Sequence, residues 1–415
     1  MSDSWPKMKL ADCVELLSGF AFKSQYFTDK PDDIVLVKGE NVSQGQVLWD
    51  ISKRWAASDW DKLEKFQLKP GDVVIAMDRP WVPAGLKWCF IREGDPKALL
   101  VQRCCRLRAN PKLVDQSFLR FVIGGQSFEG YIKPITTGVN VPHISGGQIL
   151  NFDFNVPPLP VQCRIAGILS AYDELIENSQ RRIRLLEDMA RALYREWFVH
   201  FGFPGHDSVP PSALGDLPQG WEVKTAPECI DFNPRVTVPR EGEKPFLPMG
   251  CLATDSMIIT DIESRTGNSG SKFQNGDTLF ARITPCLENG KTGFVQFLPD
   301  ASSVAFGSTE FIVMRSRTLT PEFVYCLARS EGFRGNAIKS MSGATGRQRV
   351  QEKCFDGYLI AQPTKELLER FAAIVQPSFQ LIYKLHLCIQ NLRRTRDLLL
   401  PRLLSGQVEL ESKTL

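Results

Sequence analysis

One stretch constrains this chain more than any other. "PPLPVQCRIAGILSAYDELIENSQRRIRLLEDMARALYREWF", residues 157–198, sets a proline-marked stop before one long amphipathic helix. "QPTKELLERFAAIVQPSFQLIYKLHLCIQNLRRTRDLLLPRLL", residues 362–404, repeats that rod further down the chain. In the first rod Ile165, Tyr172, Ser179, Leu186 and Leu193 recur every seven residues, interleaved with Leu169, Ile176, Ile183, Ala190 and Trp197. Alternating steps of four and three place both sets on one helical stripe. A shift of 206 gives the second rod's stripe: Phe371, Ser378, Leu385, Leu392 and Leu399, with Val375, Ile382, Ile389, Arg396 and Leu403. Charges such as Arg181, Arg182, Glu187 and Arg191 lie off the stripe. A lone rod cannot bury such a stripe, whereas two can bury each other. The competing reading, that each rod only covers its own domain's sheet, explains a sustained heptad less well. Pro160 suits a first helical turn. Pro377 lies inside the second rod and is expected to kink or break it near Gln376, so that each rod is a short helix followed by a longer one. From Ala171 to Phe198 the longer segment would run ~40 Å at ~1.5 Å per residue.

The rods close two halves of a tandem repeat. "KPGDVVIAMDRP" (69–80) aligns with "QNGDTLFARITP" (274–285), matching Gly71-Asp72 to Gly276-Asp277, Ala76 to Ala281 and Pro80 to Pro285. "QSFEGYIKPITTG" (126–138) aligns with "EGFRGNAIKSMSG" (331–343), and "RIAGIL" (164–169) with "RFAAIV" (370–375). Three blocks in one order at a nearly constant offset predict one fold built twice. Each half opens with short strands punctuated by Gly, Pro, Asn and Asp. They are "DDIVLVKG", "GDVVIAM" and "RCCRLRA" in the first half, and "GDTLFARI", "TGFVQFL" and "STEFIVMR" in the second. A short helix is expected near 115–129 and 320–335, followed by the rod. The fold class is α+β: two repeated mixed α/β domains separated by two long helices that pair as an antiparallel coiled coil.

Composition narrows the function. At 415 residues the chain is too long for one ordinary domain, and no apolar run approaches a membrane span. "MSDSWPKMKL" lacks the apolar core of a signal peptide, so a cytoplasmic protein is expected. Eleven cysteines, an odd number without any C-x-x-C, argue for reduced, mostly buried thiols, not disulfides or zinc. Net charge is only +3; residues 1–157 hold 20 Lys/Arg against 18 Asp/Glu, and 207–362 hold 16 against 18. A nucleic-acid site must therefore be a local patch.

This order of elements resembles the DNA specificity subunits of type I restriction-modification systems. The resemblance rests on "PPLP" before "QCRIAGIL", the similar helix ending at Leu404, the "GDVVIA" and "GDTLFA" strands and the opening "LSGFAFKSQYF". It implies a first target-recognition domain at 1–157, a central helical spacer at 158–206, a second target-recognition domain at 207–362 and a distal helical spacer at 363–415. It further implies a non-catalytic subunit that reads a bipartite sequence in double-stranded DNA. Partners would be two DNA methyltransferase (modification) subunits, with or without restriction or translocase subunits. S-adenosylmethionine, ATP and Mg would belong to those partners, and this chain would hold no cofactor or metal. The rods would act as a ruler between two readers. A coiled-coil scaffold that never touches DNA is the alternative.

DNA reading needs cations for phosphate and amide, guanidinium or hydroxyl groups for base edges. "SMSGATGRQRVQEK" (340–353) offers Arg347, Gln348, Arg349 and Lys353, opposed only by Glu352. The equivalent "TTGVNVPHIS" offers Thr136, Thr137, Asn140 and His143. Loops after the two Gly-Asp strands offer Arg79, Trp81 and Lys87, and Arg282, Thr284 and Lys291. "VKGEN" adds Lys38 and Asn41, a weaker pair.

Catalytic motifs fail on inspection. "ENGKTG" lacks the earlier glycine of a phosphate-binding loop, since Pro285 stands there, and a strand follows it where a helix is needed. "DFNPRV" has Arg235 in place of the second proline of a methyltransferase element. "LPD" followed by "TEF" lacks the lysine of a nuclease, with Ile312 in its place. Four scattered histidines support no triad.

Overall fold

The computed structural model describes residues 5–138, 140–206, 217–344, 346–408 and 410. The expected domain boundary at 207 lies outside the described residues, as do Val139 and Thr345 of the two polar loops. The chain divides into two units: residues 1–175 with 392–415, and residues 176–391.

In the first unit, one four-stranded sheet runs Val14–Ser18, Cys104–Ala109, Val73–Ala76, Trp88–Phe90, all antiparallel. A second runs Arg54–Trp55, Ile34–Val37, Ala98–Leu100, Gln67–Leu68, with its central pair parallel. Lys7–Lys9 pairs with Asp153–Asn155. The second unit repeats this plan strand for strand. One sheet runs Ile230–Phe232, Phe311–Ser316, Thr278–Ala281, Thr292–Phe294. The other runs Glu263–Arg265, Lys244–Leu247, Ala305–Gly307, Ser271–Phe273, again with a parallel central pair. Glu222–Thr225 pairs with Leu359–Gln362. All six sequence-predicted strands fall within this scheme. The single short helix expected in each half is two. Gly124 and Gly125 separate Gln116–Ile123 from Gln126–Ile135. Ser330, in extended backbone, separates Pro321–Arg329 from Glu331–Lys339 and caps the latter.

The repeated Gly-Asp has a mechanical explanation. Gly71 and Gly276 sit at φ +90° and +89°, a conformation that costs glycine little. The turn then buries the aspartate. Asp72 accepts the Lys69 N–H at 2.8 Å and two bonds from Arg108, at 2.6 and 2.9 Å. Asp277 accepts the Gln274 N–H at 2.8 Å and two bonds from Arg315, both 2.7 Å. The arginine comes from the neighbouring strand, so this forked pair locks the turn to the sheet's centre.

The rods are single helices, Leu159–Phe198 and Lys365–Leu404, of 40 residues each. At ~1.5 Å per residue each is ~60 Å long, longer than expected. The second rod continues through Pro377, contrary to the expected break. Pro377 and Ala373, whose carbonyl loses its partner, are both exposed, so the freed carbonyl lies on the solvent side, while Val375 and Phe379 on either side are buried. On the stripe, Ile165, Leu169, Ile176, Ile183, Val375, Ile382, Leu385 and Ile389 are buried, and Tyr172, Leu186, Leu193, Leu392 and Leu399 are half-buried.

Each unit contains one antiparallel contact between the rods. In the first unit, Ile165 and Leu169 share a core with Leu399 and Leu403, and Arg396 donates to Asp173 at 2.7 Å. That bond satisfies the polar interruption in the second rod's stripe, and Asp173 also takes Arg120 at 3.2 Å. In the second unit, the rings of Tyr194, Trp197 and Phe198 pack on Phe371. The end of one rod thus meets the beginning of the other.

The first rod also grips the globular domains through buried polar groups off the stripe. Gln162 accepts the Asp115 N–H and donates to the Leu113 and Pro157 carbonyls. Glu187, which the sequence places off the stripe, is buried. It accepts Ser256 Oγ at 2.6 Å and the Met257 N–H at 2.9 Å. Burial pushes its carboxyl above the ordinary value, with these hydrogen bonds opposing the shift. Below the unfolded-state pKa both states hold the proton. As pH rises through the folded value the unfolded state ionises more readily, and stability falls. Glu187→Gln is therefore expected to become more stable relative to wild type as pH rises from about 4.5 to 7.5. Urea denaturation across that range measures the difference, and a difference that does not change with pH would contradict it.

Candidate nucleic-acid interface

In both halves the loop leaving the Gly-Asp strand is zipped to the polar loop ahead of the rod. In the first half, Arg79 N bonds Pro142 O at 2.7 Å and Ile144 N bonds Met77 O at 2.8 Å. In the second, Thr284 N bonds Gln348 O at 3.1 Å and Val350 N bonds Arg282 O at 2.9 Å. The polar loops close on themselves alike: Thr137 exchanges backbone bonds with His143, and Ser342 with Arg349. Their tightness needs glycine. Gly138 and Gly343 have φ of +92° and +124°, and a Cβ on Gly138 would meet Val141 O at 2.3 Å. Two regions about 60 residues apart in sequence become one surface in each domain.

A carboxylate anchors each surface. Asp78 binds His143 Nδ1 at 2.5 Å and Arg103 Nε at 3.2 Å. Glu310 binds Arg349 through Nε at 2.9 Å and Nη2 at 2.8 Å, and Arg282 Nε at 3.4 Å. Arg349 above all holds the Glu310 carboxyl below its ordinary value against the opposing effect of burial, with a smaller contribution from Arg282. This corrects the expectation that only Glu352 opposes the basic loop. Glu310 lies 39 residues before Arg349, too far for local charge patterning to reveal it.

The remaining candidates separate by environment. Arg79, Asn140, Arg347 and Lys353 are exposed, and among the described residues none makes an ion pair. Thr137 is exposed but bonds the His143 carbonyl, and Thr136 bonds Ile132 O. Thr284 Oγ1 accepts the Gln348 N–H at 3.1 Å, so both brace the zipped loops. Trp81 is half-buried against the core, with Lys133 over its ring. Lys38 pairs with Glu40 at 2.5 Å. Asn41 is fully buried: its amide donates to Leu36 O and Ser52 Oγ and accepts the Lys38 N–H. That network holds a turn and leaves no group for a base.

Lys87 and Lys291 occupy equivalent sites. Lys87 Nζ donates to Gly39 O, and Lys291 Nζ to Met249 O at 3.1 Å, each tying the turn after a parallel strand to the Gly-Asp sheet. Burial lowers the Lys87 pKa below its ordinary value.

Two clefts accompany these surfaces. A cleft of about 800 Å³ gathers Lys38, Arg79 and Lys87 with Arg103. Another of about 600 Å³ gathers Arg282 with Arg235 and Lys272. Arg103 and Lys272 escaped sequence reading, and Arg235 was noted there only for displacing a proline; the repeat alignment, had it extended to Arg103 and Glu310, held a signal for the first.

The cysteines are free, and seven are buried. Among the described residues, no group of three or more His, Cys, Asp or Glu is placed to hold a metal, and no helix is long and apolar enough to cross a membrane.

Fold and surface together define a duplicated α+β domain carried on two helical rods. Residues 2–188 match the family described as the type I restriction modification DNA specificity domain. The MjaIX specificity subunit of Methanocaldococcus jannaschii is 24% identical over 72% of this chain and 70% of its own length. The HindI specificity subunit of Haemophilus influenzae is 21% identical over 98% of this chain and 100% of its own. The crystal structure of a type I restriction-modification S subunit from M. genitalium shares the fold, with a TM-score of 0.60, 14% identity and 97% of both chains covered. The first part of the chain thus matches the type I restriction-modification DNA specificity domain, and the whole chain is similar in sequence and fold to specificity subunits of those systems.

The lysine contacts predict a stability difference. Lys87→Met and Lys291→Met should each cost about 1.5 kcal/mol or more, for a lost hydrogen bond from a charged donor. Arg347→Ala should stay within ~0.5 kcal/mol, as ordinary surface substitutions do. Urea denaturation ranks the three, and equal values would return the lysines to the free surface.

Proposed function

We propose that this chain reads a split sequence in duplex DNA, one half through each globular domain. The observation that carries this is the repetition of the zipped loop pair, with the same backbone bonds but different side chains, in both halves. One scaffold with two sets of donors suits two different half-sites. The reading takes 1–157 and 207–362 as the two target-recognition domains, and 158–206 and 363–415 as the helical spacers. Two methyltransferase subunits would match the duplication, with or without restriction or translocase subunits. S-adenosylmethionine, ATP and Mg would act on those partners, and assembly would take place in the cytoplasm.

Arg79 and Arg347 are the best-placed phosphate contacts, being exposed and unpaired among the described residues. Arg79→Glu and Arg347→Glu should each weaken duplex binding across all sequences. Each should reduce the slope of log affinity against log salt by about 1. Wild-type affinity that does not respond to salt would favour the scaffold reading instead.

The rods would set the gap between half-sites. One heptad adds ~10 Å, about three base pairs at ~3.4 Å each. The insertion points are Leu175/Ile176 and Asn391/Leu392, where each rod passes from one unit to the other, so both units keep their own contacts. With a heptad in each rod, duplexes selected from a library of random gap lengths should show a gap longer by a few base pairs. Some affinity should be lost, because the added length also rotates one half-site by roughly a third of a turn. An unchanged gap in a variant that still binds would falsify the ruler.

A further inference from the structure

The grip of Glu310 on Arg349 is not explained by phosphate binding. A guanidinium neutralised by a carboxylate is a poor counter-ion for phosphate, yet it keeps its donor geometry. Glu310 occupies the Nε–Nη2 edge, with contacts of 2.9, 2.9 and 2.8 Å. The Nη1 end makes no bond among the described residues, and the side chain remains 45% exposed. The plane of the fork is therefore fixed while its far end is free. Backbone bonds to Ser342 fix the residue from behind. Two parallel N–H groups held in this way match one base edge in the major groove, the O6 and N7 acceptors of guanine. Arg347, two residues earlier, is exposed with no ion pair among the described residues, as a phosphate contact requires. The two arginines of one loop are thus prepared for different tasks.

We propose that Arg349, aligned by Glu310, reads a guanine in the half-site recognised by the second domain, with Glu310 as its positioning residue. This rests on the reading of the chain as a DNA-sequence reader. The first domain carries a different set at the same place. His143 stands where the second domain has Arg349, and Arg103 where it has Glu310, with Asp78 between them. The two half-sites therefore differ at the corresponding base.

The test uses the full chain with its methyltransferase subunits co-expressed, and selection of bound duplexes from a randomised library. Arg349→Ala should relax one guanine position in one half-site by about 5- to 150-fold and leave the other half unchanged. Glu310→Gln should weaken the preference at that same position. Arg349→Lys should not restore it, because an ammonium cannot fork. Arg347→Ala should lower affinity and leave the motif intact. The inference is overturned if Arg349→Ala, shown by circular dichroism to be folded, keeps the wild-type motif, relaxes a base other than guanine, or loses affinity evenly at all positions. A wild-type complex that selects no motif would overturn the specificity reading itself, and this inference with it.

Discussion

The apolar stripe along each rod is the constraint on which the rest depends. A 40-residue helix cannot leave such a stripe in water, and tertiary burial, more than helix propensity, is what stabilises a helix of this kind. Each rod has a second buried face as well. Gln162 ties the first rod's opening turn to one domain, and Glu187 ties its later part to a loop of the other. Both are polar groups whose burial is tolerable only because every contact is a hydrogen bond. A rod held this way has little freedom to turn about its own axis, because turning it would strip those bonds.

The two halves show which parts of the fold are fixed by mechanics. The Gly-Asp turn, the forked Arg108–Asp72 and Arg315–Asp277 pairs, and the lysines reaching a turn carbonyl occur in both. Each closes a gap between backbone segments that the sheets cannot close themselves. The side chains at the loop surface have diverged around the same backbone ladder. A carboxylate comes from the Gly-Asp loop in one half, as Asp78, and from the turn before a strand in the other, as Glu310. Such a site can change what it contacts without disturbing the sheet beneath it.

The rods, the tandem repeat and the six principal strands were legible in the sequence, because each rests on periodicity or on a motif whose physics is local. Heptad spacing specifies a helical stripe wherever the helix lies, and Gly-Asp before a run of Val, Ile and Ala marks a turn into a buried strand. The uninterrupted passage of the second rod through Pro377 was not legible. It depends on which way Ala373 and Pro377 face, and that is decided by what the rod packs against. The burial of Glu187 was not legible for the same reason, since heptad phase identifies the pairing stripe but not the face turned to a domain.

The candidate interface divides along the same line. Its residue types and loops were visible in the sequence: Arg79, His143, Arg282, Arg347 and Arg349 all stand in polar stretches beside small, flexible residues. Their electrostatic state was decided only in three dimensions. Asp78 lies 65 residues from His143, and Glu310 lies 39 from Arg349. Ion pairing falls off over a few ångströms, and sequence distance carries no information about it once sheets bring remote turns together. By itself the sequence therefore determined what the chain repeats and where its helices must pair. The tertiary structure decided which lysines are structural, that Asn41 is buried, and which arginine is held rigid and which is free.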